Sequence, residues 1–346
     1  MKIMRIGIDL AKNVFQIHGV DAHEYPVCRR QLRRHQLLEF FQKLDPCLIG
    51  MEACAGAHHW ARQLQAIGHT VRLIAPQFVK AYVKGNKNDA NDAEAICEAV
   101  SRPGMRFVPI KTIEQQDLQA LHRIRTELIH QRTAKVNQIR GLLTEYGIVI
   151  AVTVKQLRKA LPLILEDAEN GLSARFRHLL DGLCEDLVYL DEQIAIVDQD
   201  MVRQANDNAM ARKLQQLRGI GPITATALVA AIGNAKDFKR GRDLAAWLGL
   251  VPAQHSSGGK DRLLGISKRG NTYLRTLVIH GARAVIRAAA TQTDRLSCWI
   301  QSLCARRNNN IAAVALANKT VRLAWALMTR EADYDPDYGQ ARDTAA

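Results

Sequence analysis

Short apolar stretches alternate with amphipathic ones over the first hundred residues of the chain. Residues 3–9 and 14–20 are apolar runs on either side of a polar LAKN turn, which predicts two strands joined in a hairpin. The same patterns predict a strand at CLIGM (47–51) that ends in Glu52, a strand at VRLI (71–74), and helices at 57–67 and 90–100. Strands that alternate with helices after an initial hairpin predict a mixed α/β sheet with helices packed on it.

The middle of the chain has the clearest periodicity. Its apolar residues recur at alternating spacings of four and three, the a/d seam of a coiled coil sustained for about three and a half heptads. The seam consists of Phe176, Leu180, Leu183, Leu187, Leu190, Ile194, Val197 and Met201. An earlier helix, predicted over roughly 112–146, carries Leu121, Ile124, Leu128, Val136, Ile139 and Leu143 on one face. Two long helices joined through Pro162 fit an antiparallel arm, a dimerisation seam or a helical bundle within one chain, and all three remain open.

The third part of the chain contains a glycine turn between two apolar helices. In LQQLRGIGPITATALVAAIG (214–233), one helix is predicted to stop at Gly219 and the next to begin near Ile223. The turn, with Gly219 and Gly221, is typical of a helix-hairpin-helix, in which backbone N–H groups meet a phosphate. An ordinary turn between helices is the alternative. Further on, a polar loop rich in glycine and serine leads to a helix near Tyr273.

These patterns divide the chain into four parts. We expect an α/β domain at 1–111, a long-helix, coiled-coil region at 112–205 and a mainly helical C-terminal domain at 206–330. The acidic residues 331–346 are predicted to form a disordered tail. A length of 346 residues agrees with two or three folding units.

Charge distinguishes the C-terminal part from the rest. Residues 206–330 hold 20 Lys and Arg against 5 Asp and Glu, in a chain whose net charge is +14. Such an excess is typical of a polyanion-binding domain, because each neutralised phosphate releases counterions. A merely soluble basic surface is the alternative. The candidate nucleic-acid contacts around the polar loop are Lys260, Arg262, Lys268, Arg269 and Arg275.

Cysteine content and apolar run length argue against several other classes of protein. Seven scattered cysteines without a CxxC pair argue against a disulfide framework and against a zinc ribbon. No apolar run approaches the roughly 18 residues that a membrane span needs. Asp9 interrupts the stretch that a signal peptide would require. We therefore expect a cytoplasmic protein.

Four carboxylates are candidates for chemistry. Asp9 and Glu52 each end a predicted strand, and Asp89 and Asp92 share one face where a helix begins. If they converge, they form an oxygen-only site suited to Mg²⁺, and metal ions there could stabilise the attacking and leaving oxygens of a phosphoryl displacement. Taken singly, each has a structural alternative: a turn residue, a strand end, a helix cap or a carboxylate favoured by the helix dipole.

Four segments resemble the DEDD transposases of insertion-sequence family 110, in its 1111 subgroup, to which Piv-type DNA invertases are similar. They are RIGIDLAKNVF, MEACAGAHHWAR, KGNKNDANDAEAICEAVSRPGMRFVPIKT and LGLVPAQHSSGGKDRLLGISKRGNTYLR, and the resemblance covers residues 3 to about 290 in the family's order. It implies a ribonuclease-H-like (RuvC-like) N-terminal domain in which Asp9, Glu52, Asp89 and Asp92 bind the metal. It also implies a C-terminal transposase domain with a catalytic serine directly before a glycine, which matches Ser257 before Gly258; Ser256 is adjacent.

The resemblance further implies a reaction and its partners. The serine would attack a DNA phosphodiester to form a phosphoserine link, followed by strand exchange. The expected partners are target and donor DNA, a noncoding guide RNA encoded by the element, and further copies of the chain joined through the coiled coil as a dimer or tetramer, with the protein at the nucleoid. Two alternatives remain: a metal-dependent junction endonuclease that uses water as nucleophile, and a non-catalytic helix-hairpin-helix protein that binds DNA.

Overall fold

The computed structural model describes residues 2–85, 88–331 and 333–335. The chain forms two compact units, residues 1–113 and 114–346, and each is described by itself. The first unit is a mixed α/β domain, and the second consists mainly of helices.

A mixed six-stranded sheet organises the first unit. Its strands are β1 (Arg5–Leu10), β2 (Val14–Val20), β3 (Pro26–Arg33), β4 (Leu48–Glu52), β5 (Thr70–Ile74) and β6 (Phe107–Val108), in the spatial order β3-β2-β1-β4-β5-β6. β1, β2 and β3 form an antiparallel meander, β4 and β5 run parallel to β1, and β6 is antiparallel to β5. The helices are α1 (Leu37–Gln42), α2 (Ala57–Ala66), α3 (Pro76–Val79) and α4 (Asp89–Ala99). The predicted mixed sheet with helices is confirmed.

The two faces of this sheet are covered by different helices. On one face, alternate strand residues such as Ile8 and Met51 pack with Trp60 of α2 and Phe41 of α1 in one buried cluster. On the other face, α4 lies against β1 and β4, and Ile96 belongs to a second, smaller buried cluster. The sheet therefore has helices on both faces, as strands with apolar residues on both sides require.

Two long antiparallel helices form an arm in the second unit. They are α5 (Ile113–Thr144) and α7 (Ala174–Asp207). Val136 of α5 belongs to one buried cluster with Leu180 and Leu187 of α7, and the ion pair between Lys135 and Asp186 (2.8 Å) joins the two helices. The heptad seam of α7 therefore packs against helices of the same chain, and its predicted role in joining copies of the chain stays a prediction.

Pro162 lies inside a helix and does not join the two long helices as predicted. It belongs to α6 (Val154–Glu166), which packs its buried Leu157 and Leu161 against the arm. The Arg177 guanidinium of α7 donates to the carbonyl oxygens of Ile164 (3.0 Å) and Leu165 (2.9 Å). These contacts satisfy carbonyls at the end of α6, which have no partner within the helix.

The remaining elements pack into the largest buried cluster of the protein. They are α8 (Ala209–Leu214), α9 (Pro222–Ile232), α10 (Gly241–Trp247), β7 (Pro252–Gln254), β8 (Leu263–Ile266), α11 (Thr272–Ala289), α12 (Arg295–Arg306) and α13 (Asn309–Thr329). Among the described residues, α13 is the one helix with the length and hydropathy of a membrane span. Its Leu316, Val321 and Ala324 lie in this buried cluster, so it serves as a core helix here.

A buried histidine links the arm to this cluster. Both ring nitrogens of His122, on α5, make hydrogen bonds: Nε2 to the Thr226 hydroxyl of α9 (3.0 Å) and Nδ1 to the Tyr273 hydroxyl of α11 (2.9 Å). Burial, and then the charge of Arg125, lowers the pKa of His122 to about 4. The imidazole is therefore neutral at pH 7 and joins three helices by hydrogen bonds without burying a charge.

Only the first part of the predicted acidic tail is described. The backbone N–H of Tyr334 donates to the Gln216 side chain (3.0 Å), and Tyr334 packs on the main cluster of the second unit. Residues 332 and 336–346 lie outside the described part of the chain, so the predicted disorder stays a prediction.

Candidate active site

Asp9 and Glu52 lie side by side at one edge of the sheet. β1 and β4 are parallel, with Ile8 opposite Met51, and the two carboxylate residues come next on each strand. Neighbouring strands are about 4.8 Å apart, and residues two apart on a strand share a face. Both carboxylates therefore belong to the sheet face that also carries Gly7 and Gly50.

α4 approaches this face closely because Gly7 and Gly50 have no side chains. A Cβ on Gly7 would collide with the backbone of Ala93 and Cys97, and one on Gly50 would lie 2.8 Å from Cβ of Val100. We missed this role in the sequence, although an isolated glycine in a strand is a signal of close backbone approach. The close approach brings the helix onto the face of Asp9 and Glu52.

The direction of α4 brings its two aspartates to the same edge. Cys97 Sγ lies 3.8 Å from the Arg5 carbonyl oxygen, and Ala93 lies at Gly7, so α4 runs antiparallel to β1. One helical turn rises about 5.4 Å, close to the advance of two strand residues. Asp89, one turn before Ala93, therefore lies toward Asp9. Asp92 lies in the same first turn of the helix.

Asp9 and Glu52 are neighbours at this edge and the first turn of α4 lies toward it, but the four carboxylates do not form a ligand cluster. In the described part of the chain, no group of three or more Asp, Glu, His or Cys side chains has the spacing of metal ligands. The oxygen-only donor set nevertheless fits a hard divalent cation in its chemistry and in its placement at one sheet edge. Binding of a cation would require rotation of these side chains, none of which is fully buried.

Cys54 lies close to the acidic pair. Burial raises the pKa of its thiol, and the charges of Glu52 and Asp9 raise it further. A raised pKa keeps the thiol protonated at neutral pH, and a neutral thiol is a poor ligand for hard cations. The negative charges of Glu52 and Asp9 therefore act on Cys54, and no motif in the sequence indicates this contact.

The predicted serine loop is a β-hairpin. β7 and β8 pair in antiparallel fashion, and Ser257 and Lys260 form a further bridge toward the tip. Gly258 and Gly259 have φ of 56° and 76°, the left-handed values of the type I′ turns that close two-residue hairpins. Ser257 therefore occupies a defined position beside the turn, at the exposed end of the hairpin.

The two adjacent serines differ in their hydrogen bonds. The Ser256 hydroxyl accepts from the Gln254 amide (2.8 Å) and from the Arg262 backbone N–H (3.3 Å), so it ties the hairpin strands together. Within the described residues, the Ser257 hydroxyl has no hydrogen bond, and the residue is exposed. This difference favours Ser257 over Ser256 as the group available for attack.

Basic residues surround the hairpin serine on the same part of the chain. Lys260 and Arg262 lie on the hairpin itself, and Lys268 and Arg269 follow β8; all four are exposed. Exposed cations beside a hydroxyl can neutralise a phosphodiester that the hydroxyl approaches. These four of the predicted nucleic-acid contacts are therefore accessible to a polyanion.

Arg275 has a different environment from the other predicted contacts. It is buried, and its guanidinium donates to the carbonyl oxygens of Leu248 (3.1 Å) and Arg269 (3.0 Å) and to the Thr272 hydroxyl (3.0 Å). Its donors are thus engaged inside the unit, where they hold the turn that carries Arg269. We correct its assignment from a nucleic-acid contact to a residue that shapes this turn.

The glycine turn lies between α8 and α9. Gly219 has φ of 86° and packs so closely against Gly281 of α11 that neither position has room for a Cβ. Gly221 is exposed, precedes the first residue of α9, and has open space where a Cβ would lie. Of the two predicted glycines, Gly221 is therefore the accessible one, and Gly219 fixes the turn.

An α/β sheet with two carboxylates at adjacent strand ends and a basic helical unit with an exposed serine are compatible with a protein that processes nucleic acids. Residues 6–148 match the model of a transposase family named for DEDD and IS110, and residues 211–297 match the model described as "Transposase IS116/IS110/IS902 family".

Curated relatives match over almost the full chain. A "Probable family 20 transposase" of Pseudomonas aeruginosa is 53% identical over 97% of this chain and 100% of its own length. The transposase of insertion sequence element IS1111A from Coxiella burnetii is 47% identical, over 96% and 92%, and that of IS1328 from Yersinia enterocolitica is 42% identical, over 94% and 96%. The chain belongs to the IS110 family of transposases, which confirms the resemblance and the enzyme class. Membership also indicates a divalent metal.

Proposed function

We propose that this transposase cuts and rejoins DNA with Ser257 as nucleophile and with Asp9, Glu52, Asp89 and Asp92 as ligands of Mg²⁺. The observation that supports the proposal is the adjacent position of Asp9 and Glu52 at the ends of β1 and β4, with the first turn of α4, which carries Asp89 and Asp92, directed toward them. The exposed Ser257 hydroxyl, without a hydrogen bond among the described residues, supports the second part of the proposal.

The proposed reaction breaks one phosphodiester bond of DNA and forms another, with a phosphoserine as the intermediate. Ser257 Oγ attacks phosphorus and loses its proton, one P–O bond of the DNA backbone breaks, and the leaving oxygen takes up a proton. A hydroxyl of a second strand then attacks the phosphoserine and loses its proton, the bond between phosphorus and Ser257 Oγ breaks, and Oγ takes up a proton as the new DNA joint forms. A divalent cation supplies neutralisation of the negative charge on the phosphodiester oxygens. Lys260 and Arg262 would orient the backbone phosphates beside the serine.

We also infer a ribonuclease-H-like, RuvC-like fold for the first unit. The antiparallel meander β1–β3 is continued by β4 and β5, which run parallel to β1, and this arrangement supports the inference. Catalytic carboxylates at the carboxyl ends of adjacent parallel strands agree with the general position of sites in such sheets.

A covalent adduct tests the proposed chemistry directly. The purified protein is incubated with Mg²⁺ and a labelled DNA substrate carrying the ends of its element, and the products are separated on a denaturing gel. We expect a band with the combined mass of protein and one strand, and digestion with protease should return the label to the DNA position. Active preparations that cut DNA without forming such an adduct would contradict a serine nucleophile.

We propose that the basic second unit binds a noncoding guide RNA in addition to target and donor DNA, with the protein at the nucleoid. The exposed cations Lys260, Arg262, Lys268 and Arg269 support binding of a polyanion of either kind. Protein purified from cells that carry the element should retain RNA from the element's own flank after DNase treatment and moderate salt. Sequencing of the retained RNA checks this, and recovery of only abundant cellular RNA, removed at high salt, would count against a guide.

We further propose that copies of the chain associate through the outer side of the arm, because its heptad seam is already paired within the chain. Leu179, Tyr189 and Ile196 of α7 are each more than half exposed. Ile124 and Leu142, five helical turns apart on α5, are also exposed. A second heptad stripe on both helices of a hairpin is the pattern that a four-helix bundle of two hairpins requires.

Acidic substitutions on the exposed apolar stripe of α7 should prevent copies of the chain from associating. We expect the double variant Tyr189→Glu/Ile196→Glu to be monomeric under conditions where the wild-type protein is a dimer or tetramer, because a bundle core cannot bury unpaired carboxylates. Light scattering measures the mass. Val188→Glu/Val202→Glu is the matched control, since both valines are exposed on the opposite flank of α7. Equal masses for wild type and the Tyr189/Ile196 variant would exclude this interface.

A further inference from the structure

A cavity of about 650 Å³ lies in the second unit, apart from the serine hairpin and the glycine turn. It is lined by the first residues of α10, by Trp299 of α12 and by one side of α13 from Ala315 to Ala326. Gly241 lets α10 begin against α13, because a Cβ there would lie 3.1 Å from the backbone of Arg322. The volume is within the roughly 300–1,000 Å³ range of sites for small ligands.

The inner part of this cavity is aromatic and apolar. The Trp325 indole N–H donates to the carbonyl oxygens of Ala235 (3.1 Å) and Phe238 (3.0 Å), so its ring is fixed. Trp299 is half-buried, and the Lys319 ammonium lies 4.5 Å from its ring centroid. Leu323 completes the apolar surface. A flat, aromatic ligand would pack on this surface by taking the place of the Lys319 ammonium over the Trp299 ring, which frees Lys319 for an anionic group of the ligand.

The rim of the cavity is cationic and poorly neutralised. Arg240, Arg242, Lys319 and Arg322 line it. Arg240 lies 4.0 Å from Asp243, and among the described residues Arg242, Lys319 and Arg322 make no ion pair. Burial lowers the pKa of the Lys319 ammonium, and the nearby positive charges of Arg295 and Arg322 lower it further. Repulsion among these cations would be relieved by a bound anion.

We propose that this cavity binds one unpaired nucleotide of a nucleic-acid strand, with its phosphate at the cationic rim and its base at Trp299. A base that is stacked in a duplex cannot enter such a cavity, whereas an unpaired base can leave its strand and pack on an aromatic side chain. Neither Ser257 nor the four carboxylates contribute to the cavity. The identification of the ligand as part of a nucleic acid rests on the proposed function.

Two variants separate the rim from the aromatic surface. Binding of a fluorescent single-stranded DNA of twelve nucleotides is followed by anisotropy over a series of salt concentrations. We expect Lys319→Gln/Arg322→Gln to lower the slope of log K against log salt by about 0.7, because both cations face one phosphate and each neutralised phosphate on a single strand contributes about 0.7. We expect Trp299→Leu to weaken binding about 5- to 150-fold through the loss of base stacking.

A matched control removes the same charge elsewhere. Arg287→Gln/Arg307→Gln takes two exposed cations from the same unit outside the cavity, and should leave the slope unchanged. Single-stranded RNA, duplex DNA and free mononucleotide serve as further ligands. Either single strand should bind through the cavity, and duplex DNA should show no dependence on Trp299. If the mononucleotide binds in the cavity and the cavity variants bind the single strands as tightly as the wild type, the proposal is overturned in favour of a small-molecule site.

Photocrosslinking locates the base independently of affinity. A strand that contains 5-iodouracil should crosslink to the peptide that carries Trp299, and mass spectrometry of the digest identifies it. Absence of this crosslink, with salt slopes equal to those of the control, would overturn the proposal while DNA cutting stays normal. Conversely, a Ser257→Ala protein that still cuts DNA would overturn the proposed chemistry and leave the crosslink at Trp299 untouched.

Discussion

A Ser257→Ala protein is expected to cut its DNA substrate about 10⁴- to 10⁶-fold more slowly than the wild type and to form no covalent adduct. The reason is that no other group can take the place of the attacking oxygen, although the cation and the basic residues would still bind the phosphodiester. DNA binding, measured by gel shift, should change less than twofold, because the replaced hydroxyl has no hydrogen bond within the described residues. Single-turnover cutting of a labelled substrate measures the loss.

Ser256→Ala is the matched control for this experiment. It removes an identical hydroxyl one residue away, together with the hydrogen bonds to Gln254 and Arg262 that tie the hairpin. We expect the adduct to form, at a rate reduced by a less ordered hairpin. If the adduct is lost in Ser256→Ala and kept in Ser257→Ala, the two serines exchange roles. If Ser257→Ala cuts at the wild-type rate, water is the nucleophile and a junction endonuclease becomes the better description.

The buried elements of the fold could be predicted from the sequence. β2 carries apolar residues such as Phe15 and Ile17 into the sheet core, and the predicted bounds 14–20 are those of the structure. The heptad seam also located α7, because burial along one face imposes its spacing on the sequence. What pairs with the seam could not be predicted, since a partner helix in the same chain and one in a second copy impose the same pattern.

Exposed elements could not be predicted from the sequence, because an element that buries few residues imposes little hydrophobic spacing. β3 has the sequence PVCRRQLR, in which Leu32 is the one buried residue. The strand therefore shows no alternation of apolar and polar residues from which it could be predicted. The sequence predicts a loop at the serine segment, where the structure has a hairpin, because no residue between 254 and 265 is buried. Its order comes from the turn at Gly258 and Gly259 and from side-chain hydrogen bonds, which leave no periodic signal.

The positions of Asp9 and Glu52 at strand ends could be predicted from the sequence, but the burial of the basic residues could not. Asp9 and Glu52 could be placed because each ends an apolar run, and ends of parallel strands meet at one edge. Arg275 could not be distinguished from Arg269, although one is buried and the other exposed. Charge alone does not show whether a guanidinium faces solvent or the backbone carbonyls of a nearby turn.

Asp9→Asn and Glu52→Asn are each expected to slow strand cutting and adduct formation by about 10²- to 10³-fold, because each removes a charged oxygen ligand where the phosphodiester charge must be neutralised. Thermal unfolding gives a readout that does not depend on activity. Mg²⁺ at one hundred times its Kd should stabilise the first unit of the wild-type protein by about 2.7 kcal/mol, and this gain should disappear in both variants. Without cation, the variants should be no less stable than the wild type, because neighbouring carboxylates repel each other.

Glu39→Gln is the matched control, since it removes one carboxylate from the same unit at an exposed ion pair with Lys43 on α1. It should retain both the cutting rate and the stabilisation by Mg²⁺. Asp89→Asn and Asp92→Asn then test whether the first turn of α4 contributes ligands, and each should reduce the gain in stability with Mg²⁺. If Asp9→Asn cuts DNA at the wild-type rate and is stabilised by Mg²⁺ as the wild type is, the carboxylates only end strands and cap a helix. That result would favour a non-catalytic DNA-binding protein.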